Sequence, residues 1–312
     1  MPNEKVKAMT YGAAMLALFI IFYAIAMYVP LLNLIAFLIA PIPIAWYAAK
    51  YSRPQYILLG VLALILAFII GGLIGAAIAI IIIVTGLTIG DGIYRKKSKL
   101  YLFMATSVSV LMTFALLFLA TSKLMNINFI QQGIDLFKTS YEESAKYATE
   151  QLGQEVSLES MNQMFDYIVM TMPATITISV FSFSFIILSI TLFTFKRFNM
   201  KVPHFAPFKD MRLPKAVLWY YLIVLTINLF ISPEVGSTLY VIIMNFSVVL
   251  WILLVIQGIS LMFYIIEAFK YPTFLKVLAV FMSIPLYSIV VLVGIIDLGF
   301  NVRQFIDEKS GK

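Results

Sequence analysis

Cysteine is absent from this chain, which excludes disulfides, thiolate nucleophiles and thiolate metal sites. Histidine occurs once, at His204, which removes the His-rich zinc and di-iron arrangements. Charge is scarce: 12% of residues are charged against 62% hydrophobic, with a mean hydropathy of +1.00. A soluble domain of this length needs far more polar surface. Also missing are a His-Glu-x-x-His helix, a phosphate loop, a nucleophile elbow and paired intramembrane carboxylates for a proton relay. No catalytic residue, cofactor or metal is therefore expected, and the chain does not read as an enzyme. No long basic patch is interleaved with aromatics, so nucleic acid is not an expected partner despite the net charge of +7.

What is present is a series of long apolar runs, at 8–29, 31–49, 56–90, 100–121, 167–195, 215–231, 238–266 and 275–297. Runs of this length read as membrane helices, and the fold class expected is an all-α polytopic transmembrane bundle in the cell membrane. Lys5 and Lys7 before an apolar stretch, with Ala24-Ile25-Ala26 behind it, resemble a signal peptide; a retained first helix is the expectation, because so many spans follow. The run 56–90 is too long for one upright span and holds Gly71-Gly72 at its middle. Loop charge chooses between one crossing and two. With two, the clusters at Lys50/Arg53, Arg95–Lys99, Lys196–Lys215 and Lys270/Lys276 all join the N-terminus in the cytoplasm. With one, everything after residue 90 inverts. The expectation is about nine helices (eight if 56–90 crosses once), with the N-terminus inside and the C-terminus outside. Basic residues beside membrane helices also make anionic membrane lipids expected partners.

The segment 122–166 carries seven acidic and three basic residues and falls outside in this scheme. Phe129, Ile130, Ile134, Phe137 and Tyr141 recur there at helical spacing, which predicts an amphipathic helix. Gly153 is expected to break it, and Ser157 to cap a following helix with Glu159 in its first turn. Together they read as a small outer helical lid or as a solvated connector. Pro203, Pro207 and Pro214 forbid a continuous helix between 195 and 215, and Pro214 suits the first turn of the next one. With Trp219, Tyr220 and Tyr221 behind it, this stretch reads as an ordered interface loop. His204 has no second histidine or carboxylate pair near it in sequence and is expected to be chemically silent.

The same stretch carries a resemblance. Pro203-His-Phe-Ala-Pro207, then Arg212-Leu213-Pro214 opening a helix with Trp219, resembles the YybS-like family of bacterial membrane proteins. The end of the last run agrees, with Asp297, Phe300, Asn301 and Arg303, although Asn301 stands where the family pattern often has Asp. The first part of such proteins is similar to the substrate-binding S subunits of energy-coupling-factor transporters, which are six-helix, ligand-binding membrane proteins. Residues that fit are Ala13 and Ala17 on the first helix, Pro41 and Pro43, and Gly86-Leu-Thr-Ile-Gly90. The resemblance implies an S-subunit-like region over 1–200, including the lid, and an added region over 201–312 with the loop and three further helices. It also implies that Ala13 and Ala17 form either an internal packing face or a partner-docking face. The stripe Gly71, Gly75, Ala79 is expected to pack internally.

Few polar groups lie within the runs, and these are the default candidates. Asp91 can pair with Arg95, Glu267 with Lys270, and Asp297 sits near the expected outer end of the last helix. Asn228, Asn245 and Gln257 are neutral and deeper, placed to line a pocket or bridge helices. On the run 167–195, Thr175, Ser179, Ser182 and Ser189 share one helical face, and Thr177, Ser184 and Thr191 the opposite one. Two functions are compatible with this. One is binding or transport of a small, largely apolar or neutral solute. The other is a scaffold or regulatory subunit docking another membrane protein, for which the resemblance suggests a cyclic-dinucleotide phosphodiesterase.

Overall fold

The computed structural model describes residues 4–124, 126, 128–152, 158–203, 207–300 and 302–310. Among them there is no strand. The helices are α1 (Glu4–Tyr28), α2 (Asn33–Ile39), α3 (Pro41–Ala48), α4 (Arg53–Tyr94), α5 (Lys99–Leu124), α6 (Phe129–Leu152), α7 (Leu158–Arg197), α8 (Ala216–Phe230), α9 (Thr238–Ala268), α10 (Phe274–Met282), α11 (Tyr287–Gly299) and α12 (Val302–Ser310). They divide into two compact units, residues 1–147 with 179–204, and residues 148–178 with 205–312. Gly153, Ser157, His204 and Asn301 lie outside the described residues.

The first unit is built on α4. Ser52 and Gln55 open it with a reciprocal cap, and Pro54 occupies its first turn. At Gly72 the backbone turns to φ 60° and ψ −154°, a region that residues with a Cβ essentially never enter. The halves 53–71 and 73–94 then run antiparallel. A Cβ at Gly60 would stand 3.1 Å from Leu87 and 3.3 Å from Ile83. The mouth is closed by Asp91, which accepts from the Tyr56 hydroxyl at 2.6 Å and pairs with Arg95 at 2.9 Å and Arg53 at 3.4 Å. The break leaves carbonyls without helical donors, and the Tyr28 hydroxyl donates to the Ile70 carbonyl at 2.5 Å. Each half, at 1.5 Å per residue, is roughly 30 Å long, the thickness of a hydrocarbon core.

Around this hairpin the unit packs by close approach of small residues. A Cβ at Gly90 would meet the Ala45 carbonyl at 2.5 Å, so the backbones of α3 and α4 touch there. The expected internal role of Gly71 and Gly75 holds: the buried Tyr23 ring of α1 places its hydroxyl against both. Phe19, Tyr23, Ile44, Tyr47, Leu59, Ala63 and Ile82 form the core. Trp46 meets Phe195 of α7 edge-on at 4.9 Å, and Phe103 of α5 meets Phe181 and Phe185. The amphipathic helix expected in 122–166 is α6, whose Phe129 packs edge-on against Phe114 and Phe118 of α5.

The second unit centres on α9, whose cap is the Ser237 hydroxyl accepting from the Tyr240 amide at 3.2 Å. The last apolar run departs from expectation. It is not one helix but two, α10 and α11, bent by 111° across residues 283–286. Pro285 lies in the bend and accounts for it: a proline has no amide to donate, its ring crowds the carbonyl four residues back, and it disfavours helical angles in the residue before it. The pair returns to where it began. Glu267 bridges Lys209 and Lys276 at the start of α10, while Arg303, beyond the end of α11, donates to the Lys209 carbonyl. At the far end Tyr287 meets Trp251, near the midpoint of α9. The C-terminal tail therefore lies at the same end of α9 as the loop around Lys209, not at the opposite end.

Candidate functional site

The most concentrated polar chemistry in the second unit is at that shared end. Gln257, Ser260, Tyr264 and Glu267 recur at helical spacing on one stripe of α9. Two of them, Gln257 and Ser260, have no exposed surface. Against the stripe lies the loop that carries a 3-10 turn, Phe208–Asp210, and opens α8. Across it comes Asp297 from α11 and Arg303 from α12. Crossing of α9 and α11 is tight enough for this because Gly258 lies against the Val290 carbonyl and Gly294 against the Leu254 carbonyl. Any side chain at either glycine would push the helices apart.

Arg303 is the hub, with 2% of its surface exposed. Its Nη2 donates to Asp297 Oδ2 at 2.6 Å, to the Met211 carbonyl at 3.1 Å and to Ser260 Oγ at 3.2 Å. Its Nε donates to Asp297 Oδ1 at 3.1 Å and its Nη1 to the Lys209 carbonyl at 2.5 Å. Gln257 is used at both ends of its amide: Nε2 donates to Asp297 Oδ2 at 2.5 Å, and Oε1 accepts from the Leu213 amide at 2.8 Å. The Ser260 hydroxyl reaches the Phe208 and Met211 carbonyls at 2.9 Å each. Tyr264 donates to Asp307 and lies beneath the Arg303 guanidinium at 5.1 Å. On the loop, the Glu267 carboxylate holds the Lys209 ammonium above its ordinary value by hydrogen bonding.

This arrangement is a latch. The guanidinium and carboxylate neutralise each other; the remaining guanidinium donors go to the Lys209 and Met211 carbonyls and to Ser260, and the carboxylate also accepts from Gln257. A buried pair is costly unless it is satisfied in this way, and removing one partner leaves an unpaired charge worth about 3–5 kcal/mol. The latch ties loop 207–213, the end of α11 and the tail α12 to one stripe of α9.

Asn245 does a different job on the same helix. Pro173 interrupts the ladder of α7. Asn245 inserts its amide beside that kink, accepting from the Ala174 amide at 2.8 Å and donating to the Met170 carbonyl at 2.7 Å. Of the remaining sequence candidates, Asn228, Thr175, Ser179 and Ser182 are exposed. The Thr175 hydroxyl donates to its own helix, at the Thr171 carbonyl. On the opposite face of α7, Ser184 and Thr191 are buried, and with Thr106 and Ser107 of α5 their hydroxyls have no hydrogen-bond partner among the described residues. Ala13 and Ala17 are exposed on α1, while their neighbours Gly12 and Phe19 are buried.

The structure thus brings together Gln257, Asp297 and Arg303 of the sequence candidates. Arg212, Pro214 and Trp219 are exposed beside them, and Pro207 is exposed where the 3-10 turn begins; Pro203 is half-buried. Glu267 pairs with Lys209 and Lys276 rather than with Lys270. Asp297, expected near an outer end, is buried against the loop. Ser260, Tyr264 and Asp307 were not among the candidates, although the stripe Gln257–Ser260–Tyr264–Glu267 is legible as a polar helical face. Among the described residues no group of three or more His, Cys, Asp or Glu side chains is placed to hold a metal.

Comparison with known proteins adds a family. Residues 17–298 match DUF2232, described as "predicted membrane protein". The chain is 25% identical to the uncharacterized protein YybS of Bacillus subtilis (strain 168) over 307 residues, covering 96% of this chain and 99% of that one. No solved structure matches.

Proposed function

This chain belongs to the DUF2232 family of membrane proteins, and we propose that it works there as a scaffold or regulatory subunit that docks another membrane protein. One observation carries this reading. The deep polar side chains of the second unit that were candidates for gripping a solute, Asn245, Gln257 and Asp297, are engaged with the protein's own backbone and side chains. What is left outward is a small-residue face on α1, with Ala13 and Ala17 exposed. In lipid, small residues drive association by letting backbones approach closely. A cyclic-dinucleotide phosphodiesterase is the partner to try first, on the family resemblance. The test is co-purification from native membranes of the tagged full chain. Ala13→Trp with Ala17→Trp should abolish recovery of the membrane partner while the protein stays monodisperse; undiminished recovery sinks the docking face.

A second reading keeps solute binding in the first unit. It is favoured by the buried, unpartnered hydroxyls of Thr106, Ser107, Ser184 and Thr191 on α5 and α7, since buried hydroxyls normally have a partner. A small polar solute retained in native mass spectra and lost in Ser184→Ala would support this reading over the first.

We further propose the membrane arrangement. The two halves of α4 cross separately, α2 and α3 together make one crossing, and α10–α11 form a re-entrant pair that dips in and returns. That makes eight crossings with both termini in the cytoplasm, and it keeps the basic clusters on one side. Non-helical backbone at membrane depth is tolerated where protein covers it.

A further inference from the structure

The ion cluster at the mouth of the α10–α11 pair is rich in cations at contact distance. Glu267 is one carboxylate shared by two ammonium groups, Lys209 and Lys276, and Asp210 acts on Lys209 only through space. Directly behind Lys276 lies an apolar groove between α9 and α10 of about 360 Å³, lined by Phe263, Thr273, Val277, Val280 and Phe281. The groove runs along one face of α10, at positions 273, 277 and 280/281, from the charged mouth toward the bend. Its lining is apolar, and at the mouth Thr273 stands one turn before Lys276. Lys276 also lies 5.8 Å above the Phe263 ring, so its ammonium sits over the entrance.

We infer that this groove binds one anionic phospholipid, with an acyl chain along α10 and its headgroup phosphate on Lys276 and Lys209. The two parts of the site match the two parts of such a molecule: apolar lining for the chain, and two ammonium groups at the end where headgroups lie. A zwitterionic lipid fits the groove equally but brings its own cation to a mouth that already holds two. Lys276 is already paired with Glu267, so a lipid phosphate joins an existing ion pair rather than replacing it. Because α10 is one arm of the re-entrant pair, an occupied groove braces that arm against α9.

The experiment is native mass spectrometry of the full chain in mild detergent, titrated with phosphatidylglycerol and separately with phosphatidylcholine of the same chains. The wild type should retain the first about tenfold better than the second. Lys276→Gln should erase that preference, whereas Lys5→Gln, remote in sequence, should leave it intact. Val277→Trp fills the groove without touching the charges and should reduce retention of both lipids severalfold. Inorganic phosphate should not compete at equal concentration, since without a chain it lacks the groove. Equal retention of the two lipids by the wild type, or an unchanged preference in Lys276→Gln, overturns the inference. So does full competition by free phosphate, which would mean a headgroup site without a lipid groove.

Discussion

At the residue scale, the deep polar groups Asn245, Gln257, Asp297 and Arg303 of the second unit are spent on repairing backbone and pairing charge. Asn245 is the clearest repair: a side-chain amide carries a donor and an acceptor, and beside Pro173 it supplies both to α7. Arg303 is the clearest pairing, and it makes a sharp prediction. Arg303→Met should destabilise the purified protein by about 3–5 kcal/mol, because Asp297 is left charged and buried. Asp297→Leu should do the same. The double variant should lose much less than the sum, since neither charge then remains. Thermal unfolding in detergent, with size exclusion to check folding, reads the cycle. If the two single effects simply add, the residues are not coupled and the latch is not the unit described. Arg212 is exposed, so Arg212→Ala belongs with ordinary surface changes and serves as the control.

At the element scale, two helices that look continuous in sequence are not. In α4 the decisive residue is Gly72, at φ 60°. Antiparallel halves bring position 60 against position 87. A straight helix would hold those positions about 40 Å apart, from 27 residues at 1.5 Å each. Because the chain has no cysteine of its own, the pair Gly60→Cys and Leu87→Cys gives a clean test. Oxidation should cross-link it within one chain, and a failure to cross-link in a well-folded sample rules out the hairpin. Hydropathy alone could not separate these cases, because both halves are apolar all round and share one unbroken run. The last run hides its bend for the same reason. Pro285 marked a kink, but the return of the tail to Lys209 depends on Gly258 and Gly294, which are 36 residues apart in sequence and meet only after folding.

At the scale of the whole molecule, the proposed re-entry of α10–α11 would change the parity of the topology. A crossing pair would place the tail opposite the loop 207–213; the structure places it beside that loop through Arg303. In intact cells, single cysteines at Gln304 and Lys215 should both resist an impermeant thiol reagent, while one at Glu143 should react. Labelling at 304 with protection at 215 would restore the crossing helix and remove the latch.

The amino-acid sequence by itself determined that this is an all-helical membrane chain and that 122–166 holds an amphipathic helix. Those follow from composition and period, which act locally and leave their mark within a few turns. It also made Asp91 and Arg95 a pair, since helical spacing alone sets that distance. Only the tertiary structure decided that Arg303 binds Asp297 and the carbonyls of loop 207–213, and that Glu267 turns to Lys209 instead of Lys270. It also decided that Asn245 serves a proline on another helix. These are choices among partners far apart in the chain. In a membrane a buried polar group is costly without one, and which one it finds depends on how closely the helices approach. In this protein that is set by a glycine at Gly72 that reverses the chain, and by glycines at Gly258 and Gly294 that let two backbones touch.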